Sequence, residues 1–200
     1  MARTAIPLYV TNQLITAAHG NTYWRDNEAA HWAGISKLQL PIGAALLPIS
    51  TNVPMAISQV ESSGAAPKPN WRIASADDTT DEWLQFEFLV PPNFVSDPIL
   101  WVYYYSVAAI AGDVVFCGRV ASQSDGDAGV AAKVYDAVNT STTTVPGVVL
   151  TLDKAVVTLT NDDSMAANDF CNIGLYRDAD AVADTLVGDA IIKYVFLVYS

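Results

Sequence analysis

Leu84, Phe86, Phe88 and Val90 alternate with Gln85, Glu87 and Leu89, the period-two pattern of a strand with one dry and one mostly wet face. Pro91 and Pro92 follow and stop it, since proline has no amide hydrogen to give to a ladder. The next apolar stretch, ILWVYYYSV at 99–107, is greasy at both parities, with Leu100, Val102 and Tyr104 on one face and Trp101, Tyr103 and Tyr105 on the other. One face must therefore meet something besides the core. Ala111, Gly112 and Asp113 read as a turn, and 114–122 as the returning strand of a hairpin. At the end of the chain, Ile191, Val195, Leu197 and Tyr199 stand against Ile192, Tyr194, Phe196 and Val198, and only Lys193 interrupts.

Further strands are predicted at 39–47, 55–60, 71–76, 132–137, 148–151, 155–160 and 170–176, separated by Gly, Pro, Asp, Asn and Ser. None of the intervening stretches supplies the crossover helix that a parallel sheet requires. The expected fold is thus all-β, an antiparallel jelly-roll β-sandwich spanning residues 37–200. Two strands dry on both faces predict a homo-oligomer, a trimer, with Trp101, Tyr103, Tyr105, Tyr194 and Phe196 at the interface. The alternative is that loops or the N-terminal segment cover those faces within one subunit.

Residues 1–36 read differently. Thr16 can cap a short helix, Ala17 and Ala18 suit its first turn, and Gly34 ends it. Trp24, His31 and Trp32 fall along one side, with Arg25, Asp26 and Glu28 opposite. Gly20 costs this helix about 1 kcal/mol relative to alanine, so it needs a partner surface, either on a larger assembly or on the protein's own core.

Composition narrows the function. A chain of 200 residues, 52% hydrophobic and 16% charged, is too apolar for disorder and long enough for one sizeable core. Its net charge of -11 and scarcity of Lys and Arg argue against nucleic acid and anionic membranes as partners. The longest apolar run, 99–112, falls short of the roughly 20 residues a bilayer span needs. The first residues lack a sustained apolar segment, so no signal peptide is expected and a cytoplasmic assembly route fits. Cys117 and Cys171 lie in strand patterns and read as buried free thiols, Cys171 facing the core with Ile173 and Leu175.

The chemistry-bearing residues are few. Aspartates gather at Asp77, Asp78 and Asp81 with Glu82, at Asp125 and Asp127, at Asp162 and Asp163, and at Asp178, Asp180, Asp184 and Asp189. They read as turn residues that hydrogen-bond their own backbone, in preference to Ca²⁺ ligands. Arg177, beside the last acidic group, reads as a clamp on that loop. The histidines, His19 and His31, both lie in the leader, and no G-x-S-x-G or H-E-x-x-H pattern occurs, so no enzyme is expected. A glycosidase needs only two carboxylates, which an acidic chain can supply. Trp71, Trp83 and Trp101, with Tyr103, Tyr104 and Tyr105, offer material for a sugar-stacking platform, and Trp83, on the wet side of its strand, is the best exposed candidate for glycan contact. Neither a cofactor nor a metal is assigned.

The leader LITAAHGNTYWRDN, residues 14–27, closely resembles one found near the start of tailed-phage virion proteins, where a TAA-x-W-NTY-x-RDN pattern precedes a β domain. Thr16, Ala17, Ala18, His19, Asn21, Thr22, Tyr23, Arg25, Asp26 and Asn27 match, and Gly20 stands in place of the tryptophan. The stretches DDTTDEWLQFEFLVPPNFVSDPILWVYYYS and LYRDADAVADTLVGDA are similar to the body of the same group. The resemblance implies a non-enzymatic virion structural protein, assembled in the host cytoplasm and joined to other virion proteins as a capsid decoration or fibre component. Its anchoring arm would use Thr16, Asn21, Tyr23, Trp24, Arg25, Asp26 and Asn27. The alternative is a tail receptor-binding module that recognises host surface glycan.

Overall fold

The computed structural model describes residues 36–108 and 110–200, and the arm residues named above lie outside them. Eleven strands follow in order: β1 Ser36–Leu40, β2 Val53–Pro54, β3 Ala56–Glu61, β4 Asn70–Ala76, β5 Glu82–Leu89, β6 Ile99–Ser106, β7 Asp113–Gln123, β8 Asn139–Thr144, β9 Asp153–Thr158, β10 Phe170–Arg177 and β11 Ala190–Tyr199. Among the described residues the helical segments are 3-10 turns at Ile42–Ala44 and Val130–Ala132. None is long and apolar enough to cross a membrane.

Two sheets pack face to face. The larger runs β3-β4-β11-β6-β9, with β1 lying beside β11 beyond the end of β4; the smaller runs β2-β5-β10-β7-β8. Pairing is antiparallel throughout except for the short β2–β5 contact. From β4 onward the chain passes repeatedly from one sheet to the other, the order that eight strands take in a jelly roll. Although the sequence predicts a hairpin, the strand over 114–122 is not the partner of the one before it. β7 lies in the opposite sheet from β6, which pairs with β11 and β9 instead. Gly112 does make the turn, at φ +110, where a Cβ would meet the Thr185 carbonyl oxygen at 2.7 Å.

The inward faces form one core. Leu84 and Phe86 of β5, Leu100, Val102 and Tyr104 of β6, Phe116 and Val120 of β7, Ile173 and Leu175 of β10, and Val195 and Leu197 of β11 are all buried in it. Each aliphatic or Phe side chain so enclosed contributes about 1.5–3 kcal/mol. Tyr104 meets Phe116 edge-on, centroids 5.2 Å apart. Both cysteines are free and buried. Cys171 faces the core, where burial pushes its thiol up to about 12.

Other strand expectations change as well. The strand expected over 39–47 ends at Leu40, after which Pro41 opens a 3-10 turn and Leu46 returns as a single bridge to Gln85. Residues 132–137 begin in the second 3-10 turn and continue as a crossing loop, and 148–151 form a turn. Pattern reading passed over β8, whose NTSTTT sequence has no apolar face; as an edge strand it needs only its ladder to β7. Finally, a β-bulge between Ile192 and Tyr194 shifts the parity of β11. Ala190 and Ile192 point inward before it, and Val195, Leu197 and Tyr199 after it, so Ile191 belongs with the outward residues and Ile192 with the core.

Candidate functional site

On the outer face of the smaller sheet, β10 contributes every second side chain: Phe170, Asn172, Gly174 and Tyr176, the positions between its core residues. Gly174 leaves a gap that aromatic rings fill. A Cβ there would stand 2.9 Å from the Trp83 ring and 3.3 Å from Tyr135. Trp83 stacks on Tyr176 at 4.0 Å with 14° between planes, while Tyr135 leans on it from the loop at 6.2 Å. Such pairs are worth about 0.5–1.5 kcal/mol beyond their buried area. Trp83 does face outward, as its parity predicts, but it is only 9% exposed and is not an open sugar platform. The cover comes from Tyr135, some fifty residues along the chain, which the local pattern around Trp83 cannot reveal. Burial also pushes the Tyr135 hydroxyl up to about 12, and it donates to Asn172 Oδ1 at 2.5 Å.

Beside this cluster lies a cleft of about 390 Å³. Cross-strand neighbours line it on the sheet side, Glu87–Asn172–Ala121 in one row and Phe170–Gln123 in the next, as the register of β5, β10 and β7 dictates. Val130, Lys133, Val134 and Tyr135 wall it on the loop side. The Asp136 amide donates to the Val120 carbonyl at 2.8 Å, which ties that loop to β7. Lys133 Nζ lies 2.8 Å from Asp163 Oδ2, and this hydrogen bond raises its pKa. Phe170 is 64% exposed at the rim. The cleft therefore combines an open aromatic ring, a phenol, a carboxylate, an ammonium group and two amides, a mixture suited to a polar ligand with apolar faces. Pattern reading missed Tyr135, Phe170 and Lys133. The signal for Phe170 was present: Cys171, Ile173 and Leu175 point inward, so Phe170 and Asn172 must point out.

The outer face of the larger sheet holds the five residues expected at an oligomer interface. Trp101, Tyr103, Tyr105, Tyr194 and Phe196 lie there together, all half-buried. Tyr103 meets Phe196 edge-on at 5.9 Å, and Phe196 meets Tyr194 at 6.4 Å. Lys37 and Lys154 reach the Trp101 ring at 4.2 and 4.0 Å, and Lys193 lies 4.1 Å from the Trp71 ring centroid. Trp71 is 44% exposed and is the most open tryptophan described.

Arg177 is the expected clamp. Its Nε and Nη2 donate to Asp184 Oδ2 and Oδ1 at 2.9 and 2.7 Å, and Nη1 and Nη2 also reach the carbonyls of Ala76, Gly188 and Leu186. Asp77, Asp127 and Asp162 hold their own turns, as expected, whereas Asp163 and Asp78 accept from amides far along the chain and tie separate loops and strands together. Asp77 accepts from the Thr79 amide, Asp127 from Ser124, Asp162 from Ser164, Asp163 from Ser122 and Asp78 from Gly188. Among the described residues, two triads bring carboxylates close together, Asp77–Asp78–Asp189 and Asp81–Asp178–Asp180. Burial and neighbouring carboxylates raise the pKa of Asp81 and Asp178.

No family model matches the sequence, and no curated protein matches it either. Among solved structures, the chain is similar to the xylan-binding module CBM15, at 15% identity and TM-score 0.38, over 84% of this chain and 98% of that one. It is also similar to TmCBM61 in complex with beta-1,4-galactotriose, at 10% identity and TM-score 0.37, over 84% and 90%. Against the enzymatically active domain of Bacteriophage CBA120 tailspike protein 4 the identity is 7% and the TM-score 0.34, over 82% of this chain and 19% of that one. Likeness this distant transfers no ligand and no role.

Proposed function

We propose that this chain is a phage virion protein that works by binding rather than by catalysis, and that the smaller sheet of its β-sandwich takes up host surface glycan. The observation that carries the binding is the cleft of about 390 Å³, with exposed Phe170 at its rim and Tyr135, Asn172, Glu87 and Lys133 around it. A sugar ring offers C–H faces to an aromatic plane and hydroxyls to amides and charged groups, and this lining answers both. The virion assignment is supported by the leader and body resemblance. Display of several copies on one particle would present several clefts at once, so a weak single-site affinity becomes durable attachment.

The test is a glycan array followed by titration of the best ligand. Phe170→Ala should weaken binding about tenfold or more, because an exposed aromatic anchor contributes more than 1 kcal/mol when it contacts ligand. Circular dichroism checks that the fold persists, which is expected since Phe170 lies outside the core. Unchanged affinity in a folded Phe170→Ala protein would remove the cleft from the binding role.

A further inference from the structure

Four features coincide on the outer face of the larger sheet. The first is charge. In a chain of net charge -11, Lys37, Lys154 and Lys193 all lie on this face, and its outward strand positions carry no Asp or Glu among the described residues. Asp189, just before β11, accepts from Ser75 Oγ at 2.5 Å. The second is fixed cations. Lys37 comes from β1 and Lys154 from β9, so they reach Trp101 from opposite flanks of β6. Cation–π contact keeps such ammonium groups in place before any partner arrives.

The third feature is the bulge. It falls at Lys193, and bulges re-aim a side chain that a regular strand would direct elsewhere. Lys193 thereby lies 4.1 Å from the Trp71 ring and 5.0 Å from Tyr194, and its ammonium donates to the Arg72 carbonyl at 3.3 Å. The fourth is space. A hollow of about 210 Å³ opens there, lined by Val60, Trp71, Ile73, Tyr105 and Lys193. Trp101 stands four residues from Tyr105 on the same strand face, about 13 Å away at strand rise.

We propose that this face is a second binding site, for a carboxylate-bearing polysaccharide, with an acidic sugar residue in the Trp71–Tyr105 hollow against Lys193 and the chain continuing toward Lys37 and Lys154. Aromatic walls receive the sugar's C–H surface, and the lysines select for the carboxylate. The half-buried rings that the sequence pattern assigned to a sister copy are assigned here to ligand. The site is separate from the Phe170 cleft and does not depend on it.

The experiment is affinity electrophoresis of the full chain in gels containing polygalacturonate, alginate or polysialic acid, with neutral galactan and dextran sulfate as controls. At least one carboxylated polymer should retard the protein, and raising salt from about 50 to about 500 mM should weaken the effect. Lys193→Gln and the Lys37→Gln/Lys154→Gln pair should each weaken it about tenfold. Lys193→Arg should stay within about threefold, and Phe170→Ala should leave it unchanged. No retardation by any of the three carboxylated polymers overturns the proposal; a face already covered by residues 1–35 or by a sister copy gives that result. Equal retardation by dextran sulfate or neutral galactan, or by folded Lys193→Gln, overturns it as well. Loss in Phe170→Ala alone would move the acidic ligand to the cleft and leave only the reading of that cleft standing.

Discussion

Arg177 has no side-chain exposure, and each of its five N–H groups has an acceptor. Its partner Asp184 is also enclosed, with 2% of its side chain exposed, and accepts from the Val115 amide as well. Arg177→Met should therefore lower stability by about 3–5 kcal/mol in urea denaturation, since it strands a buried carboxylate and three carbonyls. Arg177→Lys should fail to restore it, because an ammonium cannot reproduce the planar fork, whereas Arg177→Met/Asp184→Leu should recover part of the loss. A single mutant as stable as the parent would refute the clamp. This residue was legible in the sequence as the one cation between Tyr176 and an acidic loop. Trp83 was half legible. Its parity gave the correct side of the sheet, but its exposure depended on Tyr135 and on the room left by Gly174, contacts made from other elements.

Among the elements, the last strand shows most clearly what a period-two pattern can and cannot say. β11, apolar at both parities, lies inside its sheet and pairs with β6 on one side and with β4 and β1 on the other. The pattern does not announce the bulge, because hydrophobic side chains fill both faces on either side of it and Lys193, the polar residue at the change of phase, reads only as an interruption. Deleting Lys193 should remove the extra residue and restore regular alternation, with Ala190, Ile192, Val195 and Leu197 all still facing the core. The expected outcome is cooperative thermal unfolding by circular dichroism, as in the parent; a deletion variant that loses cooperative unfolding would contradict this reading of the register. β8 is the complementary case. Its threonines carry strand propensity without an apolar face, and an edge position in the smaller sheet demands nothing more.

For the molecule as a whole, charge couples to stability. Burial raises the pKa of Asp81, Asp178 and Glu82 above the ordinary 3.8 for aspartate and 4.5 for glutamate, so their contribution is complete below those values and is lost as pH rises through the raised ones. Asp169 behaves oppositely. Burial pushes it up, but hydrogen bonds from Ser124, Ala166 and Ser122 outweigh that and lower it, so its contribution is present above 3.8 and lost as pH falls through the lowered value. Asp77, lowered chiefly by its bonds from Thr79, adds to the same side. Calorimetry should accordingly find a higher melting temperature near pH 5 than at pH 8, by about 2–4 °C for each kcal/mol gained, and a decline below pH 3. A melting temperature that keeps rising to pH 8 would contradict this balance. The sequence by itself determined the all-β class, the inward and outward sides of most strands, the free buried thiols and the Arg177 clamp, because each depends on side-chain type and local period. Tertiary structure alone decided which strands pair, that β6 and β7 part company, that Trp83 is roofed while Phe170 stays open, and that three lysines gather on one aromatic face. Those outcomes depend on contacts between residues far apart in the chain, and a local pattern carries no record of them.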